Sequence, residues 1–148
     1  MPEKIEHKIN RTGWPSGIWD SEPDRAEFIH SGFACLLVRN DLGAWCGYVG
    51  VPESHRSFGL DYDAVEVEIH GGLTYANLCQ EEGPICHIPQ PGMPEKVWWL
   101  GFDTLHYRDA APGIMSPRMT LGIDGGGTYR TMEWTRRETM RLAEQLAV

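Results

Sequence analysis

Histidine and carboxylate side chains gather where this chain leaves regular patterning. His70 ends an alternating run and stands before Gly71-Gly72, while Asp103 and His106 follow a strongly apolar run. If the two run ends meet at one sheet edge, His70, Asp103 and His106 converge. Two imidazoles and a carboxylate that leave a position open are the ligand pattern of a catalytic divalent-metal site, with zinc or manganese as the ion. The metal would polarise a phosphoryl or carbonyl oxygen and acidify bound water. His55 and Glu53, in the polar loop upstream, are candidates for a further ligand or the catalytic base. No His-Glu-x-x-His or paired-cysteine signature accompanies the set. The plainer reading is that both histidines bond to backbone and Asp103 caps a turn.

Two other constellations compete. Cys46 with His70 could form a thiol–imidazole pair, with the Gly47 amide open as an oxyanion donor. An apolar strand is a poor place for a reactive thiol, however. Alternatively, Trp45, Tyr48, Trp98 and Trp99 could wall a pocket for a planar ligand. Polar contacts would then come from His70, Thr74, Asp103 and Arg108. The ligand-binding set on this reading is Tyr48, Thr74, Trp98 and Arg108. The run Gly125-Gly126-Gly127 before the helix lacks the Gly-x-x-x-x-Gly-Lys-[Ser/Thr] pattern of a phosphate-binding loop.

The elements that would hold these residues follow from hydrophobic period. Val65, Val67 and Ile69 alternate with Glu66, Glu68 and His70, which predicts a half-buried strand. The run 33–39 is apolar on both faces and predicts a central strand. Asn40-Asp41-Leu42-Gly43 is a turn signal, and 45–51 returns as the second strand of a hairpin. A two-residue loop would set Cys35 opposite Cys46 and permit a disulfide; a longer loop would offset them. The run 97–103 is the last strand. At the C-terminus, Met132, Thr135, Thr139, Leu142 and Leu146 recur at helical spacing. This predicts a helix over 128–147, with Thr128 as its cap. Segments 53–63, 77–94 and 109–127 read as long loops, and residues 1–12 as a mobile end. Asp20, Glu22 and Asp24 read as solvated loop carboxylates. The expected fold is a single α+β domain over residues 1–148: a mostly antiparallel sheet with long loops, covered by the C-terminal helix.

Composition narrows the partners. The 148 residues carry 13 basic and 21 acidic side chains, a formal charge of −8, which argues against nucleic acid. Arg130, Arg136, Arg137 and Arg141 interleave with glutamates and read as a solvated helix face. No stretch has the length and apolarity of a membrane span or a signal peptide, so no membrane partner and a cytoplasmic location are expected. Four cysteines without a Cys-x-x-Cys pair read as small buried apolar groups in a reducing compartment. A homo-oligomer stays open.

Several strings taken together are distinctive: Cys46-Gly47-Tyr48-Val49-Gly50-Val51-Pro52, His70-Gly71-Gly72-Leu73-Thr74-Tyr75 and Trp98-Trp99-Leu100-Gly101-Phe102-Asp103-x-x-His106. With 19–24 and 61–63 they resemble a family of small uncharacterised bacteriophage and prophage proteins, over roughly residues 14–110. The resemblance implies a viral setting inside a bacterial cytoplasm and carries no catalytic residues with it. Three functions are therefore expected in competition. The first is a metal-assisted hydrolase acting on a small phosphate or amide substrate. The second is a non-catalytic protein that binds a small molecule or nucleotide and sequesters a host signal. The third is a protein–protein interaction module using exposed Trp14 and Trp19.

Overall fold

A strand apolar on both faces needs a cover on each side, and this chain provides two different covers. A computed structural model describes residues 5–114 and 127–148. Five strands form one antiparallel sheet: β1 (Arg25–His30), β2 (Phe33–Arg39), β3 (Trp45–Pro52), β4 (Tyr75–Leu78) and β5 (Val97–Asp103), in the order β1-β2-β3-β5-β4. Two short strands, β6 (Asp109–Ala110) and β7 (Thr128–Tyr129), pair in parallel beside it. A single helix, α1 (Met132–Leu146), closes the described chain. The expected α+β class, with an antiparallel sheet and a C-terminal helix packed on it, is what forms.

Register assigns every strand residue to a face. Val49 pairs with Leu100, and Gly47 with Phe102, on the side that meets Leu142, Ala143 and Leu146 of α1. Cys46 pairs with Asp103, and Tyr48 with Gly101, on the other side. There Leu36, Val38, Val97 and Trp99 are covered by Ile85 from the loop between β4 and β5. Each fully buried Leu or Val contributes about 1.5–3 kcal/mol, so both covers are worth several such side chains.

The fold departs from expectation in four places. The segment 65–69 is extended and keeps its alternating burial, yet it joins no strand ladder. Val65, Val67 and Ile69 pack on the helix-side core. Its backbone bonds go instead to side chains of α1: the Glu68 amide to Gln145 Oε1 (2.7 Å), the Glu68 carbonyl from Gln145 Nε2 (2.8 Å), and the His70 amide to Glu138 Oε2 (2.8 Å). Period-two burial requires an extended chain on a surface; it does not require a neighbouring strand. The helix starts at Met132, later than expected, because residues 128–129 are held in β7 and Thr131 is the cap, its Oγ1 accepting from the Trp134 amide. Ser31-Gly32, both at positive φ (53° and 81°), make a two-residue turn that creates the β1–β2 hairpin, a pairing not expected from hydrophobic period.

The cysteines are the fourth correction. Arg39 pairs with Trp45, so five residues close the β2–β3 loop and Cys35 faces Val49, not Cys46. The two thiols lie on opposite sides of the sheet and both are free. Cys79 and Cys86 form a disulfide instead. Most of the loop expected over 109–127, with Gly125 and Gly126, lies outside the described residues.

Candidate functional site

The end of β5 is where the polar residues meet. Asp103 is its last residue, on the face away from α1, and accepts from Thr74 Oγ1 at 3.0 Å. It also stands 3.2 Å from His106 Nε2, a buried nitrogen without a hydrogen-bond partner. The contact has the length of an ion pair but not the direction of a hydrogen bond. Behind it, His70 Nε2 bonds Asp109 Oδ2 at 2.7 Å, and Arg130 Nε donates to Asp109 Oδ1 at 3.0 Å. The His106 amide also donates to Asp109. Burial opposes ionisation of the Asp109 carboxyl, but these hydrogen bonds outweigh it and hold the group below the usual carboxylate range. The rings of His70 and His106 meet edge to face with centroids 5.6 Å apart, and Trp134 closes the far side of His70. Gly71, at φ +68°, passes so close to His106 that a Cβ there would lie 2.2 Å from the ring.

His70, Asp103 and His106 are therefore neighbours, as the sequence suggested, but they are partnered differently. Each histidine faces its own aspartate. Among the described residues, the only group of three or more His, Cys, Asp or Glu side chains whose ligand atoms lie mutually within 4.8 Å is Cys79, Cys86 and His87. The ligand atoms of His70, Asp103 and His106 are not gathered within that distance, and His70 Nε2 is bonded to Asp109. Asp109 carried no signal in the sequence beyond its place in an irregular stretch.

In front of Asp103 the sheet opens into a groove of about 380 Å³. Cys46 and Tyr48 form its floor, Tyr75 and Thr74 one wall, and Asp103 and Leu105 its end. It continues past Asn40 into a second depression of about 260 Å³ bounded by His7, Asp41, Pro84 and Ile85. Tyr48 and Tyr75 meet edge to face at 5.3 Å. Burial, helped by the charge of Asp103, pushes the Cys46 thiol up to about 12; burial likewise pushes the Tyr48 phenol up. Neither ionises near neutrality, so the floor offers hydrogen-bonding groups and not an activated nucleophile. This weighs against a Cys46–His70 hydrolase, and His70 also lies on the far side of Asp103. Arg39 lines the second depression, but its side chain is fully buried and engaged with Glu22 and Tyr129.

The other expected site residues lie elsewhere. His55 sits under the C-terminus of α1: its Nε2 donates to the Leu146 carbonyl (2.7 Å) and its Nδ1 accepts from the Ser57 amide (3.0 Å). Both nitrogens are spent on holding the helix end. Glu53 is exposed, 3.7 Å from Lys96. Trp98 donates to the Leu60 carbonyl on the helix side of the sheet. Arg108, at φ +72°, lays its guanidinium over Tyr107. Of the expected ligand-binding set, Tyr48 and Thr74 reach the groove and Trp98 and Arg108 do not.

Glu22 and Asp24, expected to be solvated, are the counter-ions of buried Arg39. Its guanidinium contacts Glu22 Oε1 at 2.9 Å and Asp24 Oδ1 at 3.3 Å, and it stacks 4.5 Å over Trp45. Glu22 Oε2 also accepts from the Met132 amide at the start of α1. Trp19 is buried against Tyr129, which removes it from any exposed interaction surface. No described helix is long and apolar enough to cross a membrane. The chain matches no protein-family model, no curated protein and no solved structure.

Proposed function

We propose that this is a small-molecule-binding protein whose ligand is an organic cation, an amine or amidine on an apolar or aromatic body. The observation that carries this reading is Asp103: a carboxylate fixed by Thr74 at the end of a groove floored and walled by Tyr48 and Tyr75. An ammonium group there gains a charge-assisted hydrogen bond, and its apolar body lies beside two aromatic rings. Phosphate is disfavoured, because Asp103 and Asp41 both border the groove and its one arginine is buried against Glu22. In the bacterial cytoplasm that the resemblance to phage proteins implies, such a binder would sequester a cationic host metabolite.

The test uses arylalkyl amines such as phenethylamine, each matched with its alcohol and its carboxylate. Amines should bind at least about tenfold more tightly than their alcohols, and Asp103→Asn should remove that preference. Equal binding of all three classes would sink the proposal.

A second reading keeps the strand end as an acid–base centre of a hydrolase, and the lone buried nitrogen of His106 facing Asp103 is what favours it. Elemental analysis separates its metal-assisted form: stoichiometric zinc or manganese, lost in a His70→Ala/His106→Ala variant, would support it. No metal in the wild type, even after incubation with both ions, would remove it.

A further inference from the structure

We infer that Cys79, Cys86 and His87, when the disulfide is reduced, form a binding site for a soft divalent metal ion, zinc by preference. The three residues come from the loop that covers the sheet face opposite α1. The two sulfurs are joined in the disulfide and the His87 imidazole lies within 4.8 Å of both, so the opened sulfur pair and the ring can converge on one ion. His87 is 6% exposed. Its Nε2 faces the Pro94 carbonyl at 3.3 Å, and a carbonyl can only accept, so Nε2 carries the proton. That leaves Nδ1 with the lone pair, and Nδ1 is buried without any partner. An imidazole whose outer nitrogen is held by a carbonyl while the inner one is free is the arrangement found behind metal-bound histidines.

The sulfur side is prepared in the same way. Trp99 Nε1 donates to Cys79 Sγ at 3.2 Å, a contact that favours charge on that sulfur. Arg25 holds the Pro84 and Cys86 carbonyls, which fixes the loop on either side of Ile85. Two thiolates and an imidazole suit zinc over magnesium, calcium or manganese. Three protein ligands leave a tetrahedral ion one position for water.

The chemistry balances with a dithiol or phosphine reductant. Reduction of the Cys79–Cys86 bond takes two electrons and two protons and each sulfur becomes a thiol; a dithiol reductant closes its own disulfide, and a phosphine takes oxygen from water, which supplies the two protons, to become the phosphine oxide. Metal binding then forms two metal–sulfur bonds and one metal–nitrogen bond and releases the two thiol protons. Disulfide and metal are thus alternative closures of one loop, so the sheet face stays covered in either redox state.

Cobalt(II) is the probe, added without oxygen to the full-length protein after reduction with a phosphine that is then removed. The reduced protein should take up one cobalt per chain, with sulfur-to-cobalt charge-transfer and tetrahedral ligand-field absorption, both abolished by added zinc. The oxidised protein should show neither band. His87→Ala should weaken cobalt binding at least about tenfold. His87→Gln, which keeps bulk and polarity in the loop, should do the same while its circular dichroism matches wild type. Cys35→Ser/Cys46→Ser should bind normally. Absence of the bands in reduced wild type, or their persistence in Cys79→Ser/Cys86→Ser, would overturn the inference. The groove at Asp103 is untouched by either result.

Discussion

Asp103 and Asp109 are both aspartates beside a histidine, yet their surroundings separate them. Asp109 is enclosed, and His70, Arg130 and the His106 amide satisfy it. Asp103 is part-exposed and faces the groove. Because the folded Asp109 ionises below its unfolded value, its stabilisation is present above about pH 4 and is lost as pH falls through the folded value. The stability gap between wild type and Asp109→Asn should therefore be widest near neutrality and shrink below about pH 4, as read by urea unfolding across pH. A constant gap would mean that Asp109 acts only through shape. Cys35 and Cys46, with thiols pushed up to about 12 by burial, should resist iodoacetamide at neutral pH in the native protein and react only after unfolding. At this scale the sequence marked His70, Asp103 and His106 as neighbours. It could not show that Asp109, 39 residues from His70, would claim that ring first.

Elements were legible where burial alone decides them. β2, β3, β5 and the apolar stripe of α1 follow from period. The segment 65–69 shows the limit of that signal, since alternation fixes which side chains are buried but not what the backbone bonds to. Here the partners are Glu138 and Gln145, two polar residues of a helix that reads as solvated on that side. Close approach of α1 to the sheet rests on Gly47, where a Cβ would sit 2.1 Å from Thr139 Oγ1 and 2.6 Å from the Phe102 ring. Gly47→Ala should force the helix outward and cost about 1–3 kcal/mol by overpacking, measurable as a lower urea midpoint. An unchanged midpoint would show that the helix has room to give. Disulfide placement was not legible, because a one-residue change in hairpin loop length decides which cysteines can meet.

Across the molecule, the sheet carries a helix on one face and a disulfide-closed loop on the other, and the groove opens where the loop cover stops short of Asp103. The N-terminal segment, β2, β7 and the start of α1 are joined through Arg39, Glu22, Asp24 and Tyr129. Removing the cation from that cluster leaves the largely enclosed Glu22 without its ion pair, while Asp24 keeps only Arg11. Arg39→Met should therefore cost about 3–5 kcal/mol in chemical denaturation. A loss under about 1 kcal/mol would mean that water reaches Glu22 and Asp24 in the variant. The sequence hid this centre because an arginine at a strand end and carboxylates in a loop each look solvated alone. The proposed function turns on whether the groove recognises a cation. The measurement is amide chemical-shift mapping of the labelled protein with phenethylamine, its alcohol and its carboxylate analogue. Shifts that centre on Thr74, Tyr75 and Asp103 for the amine, fade for the alcohol and vanish in Asp103→Asn are the predicted result. Shifts centred elsewhere, or a preference for the carboxylate, would contradict it.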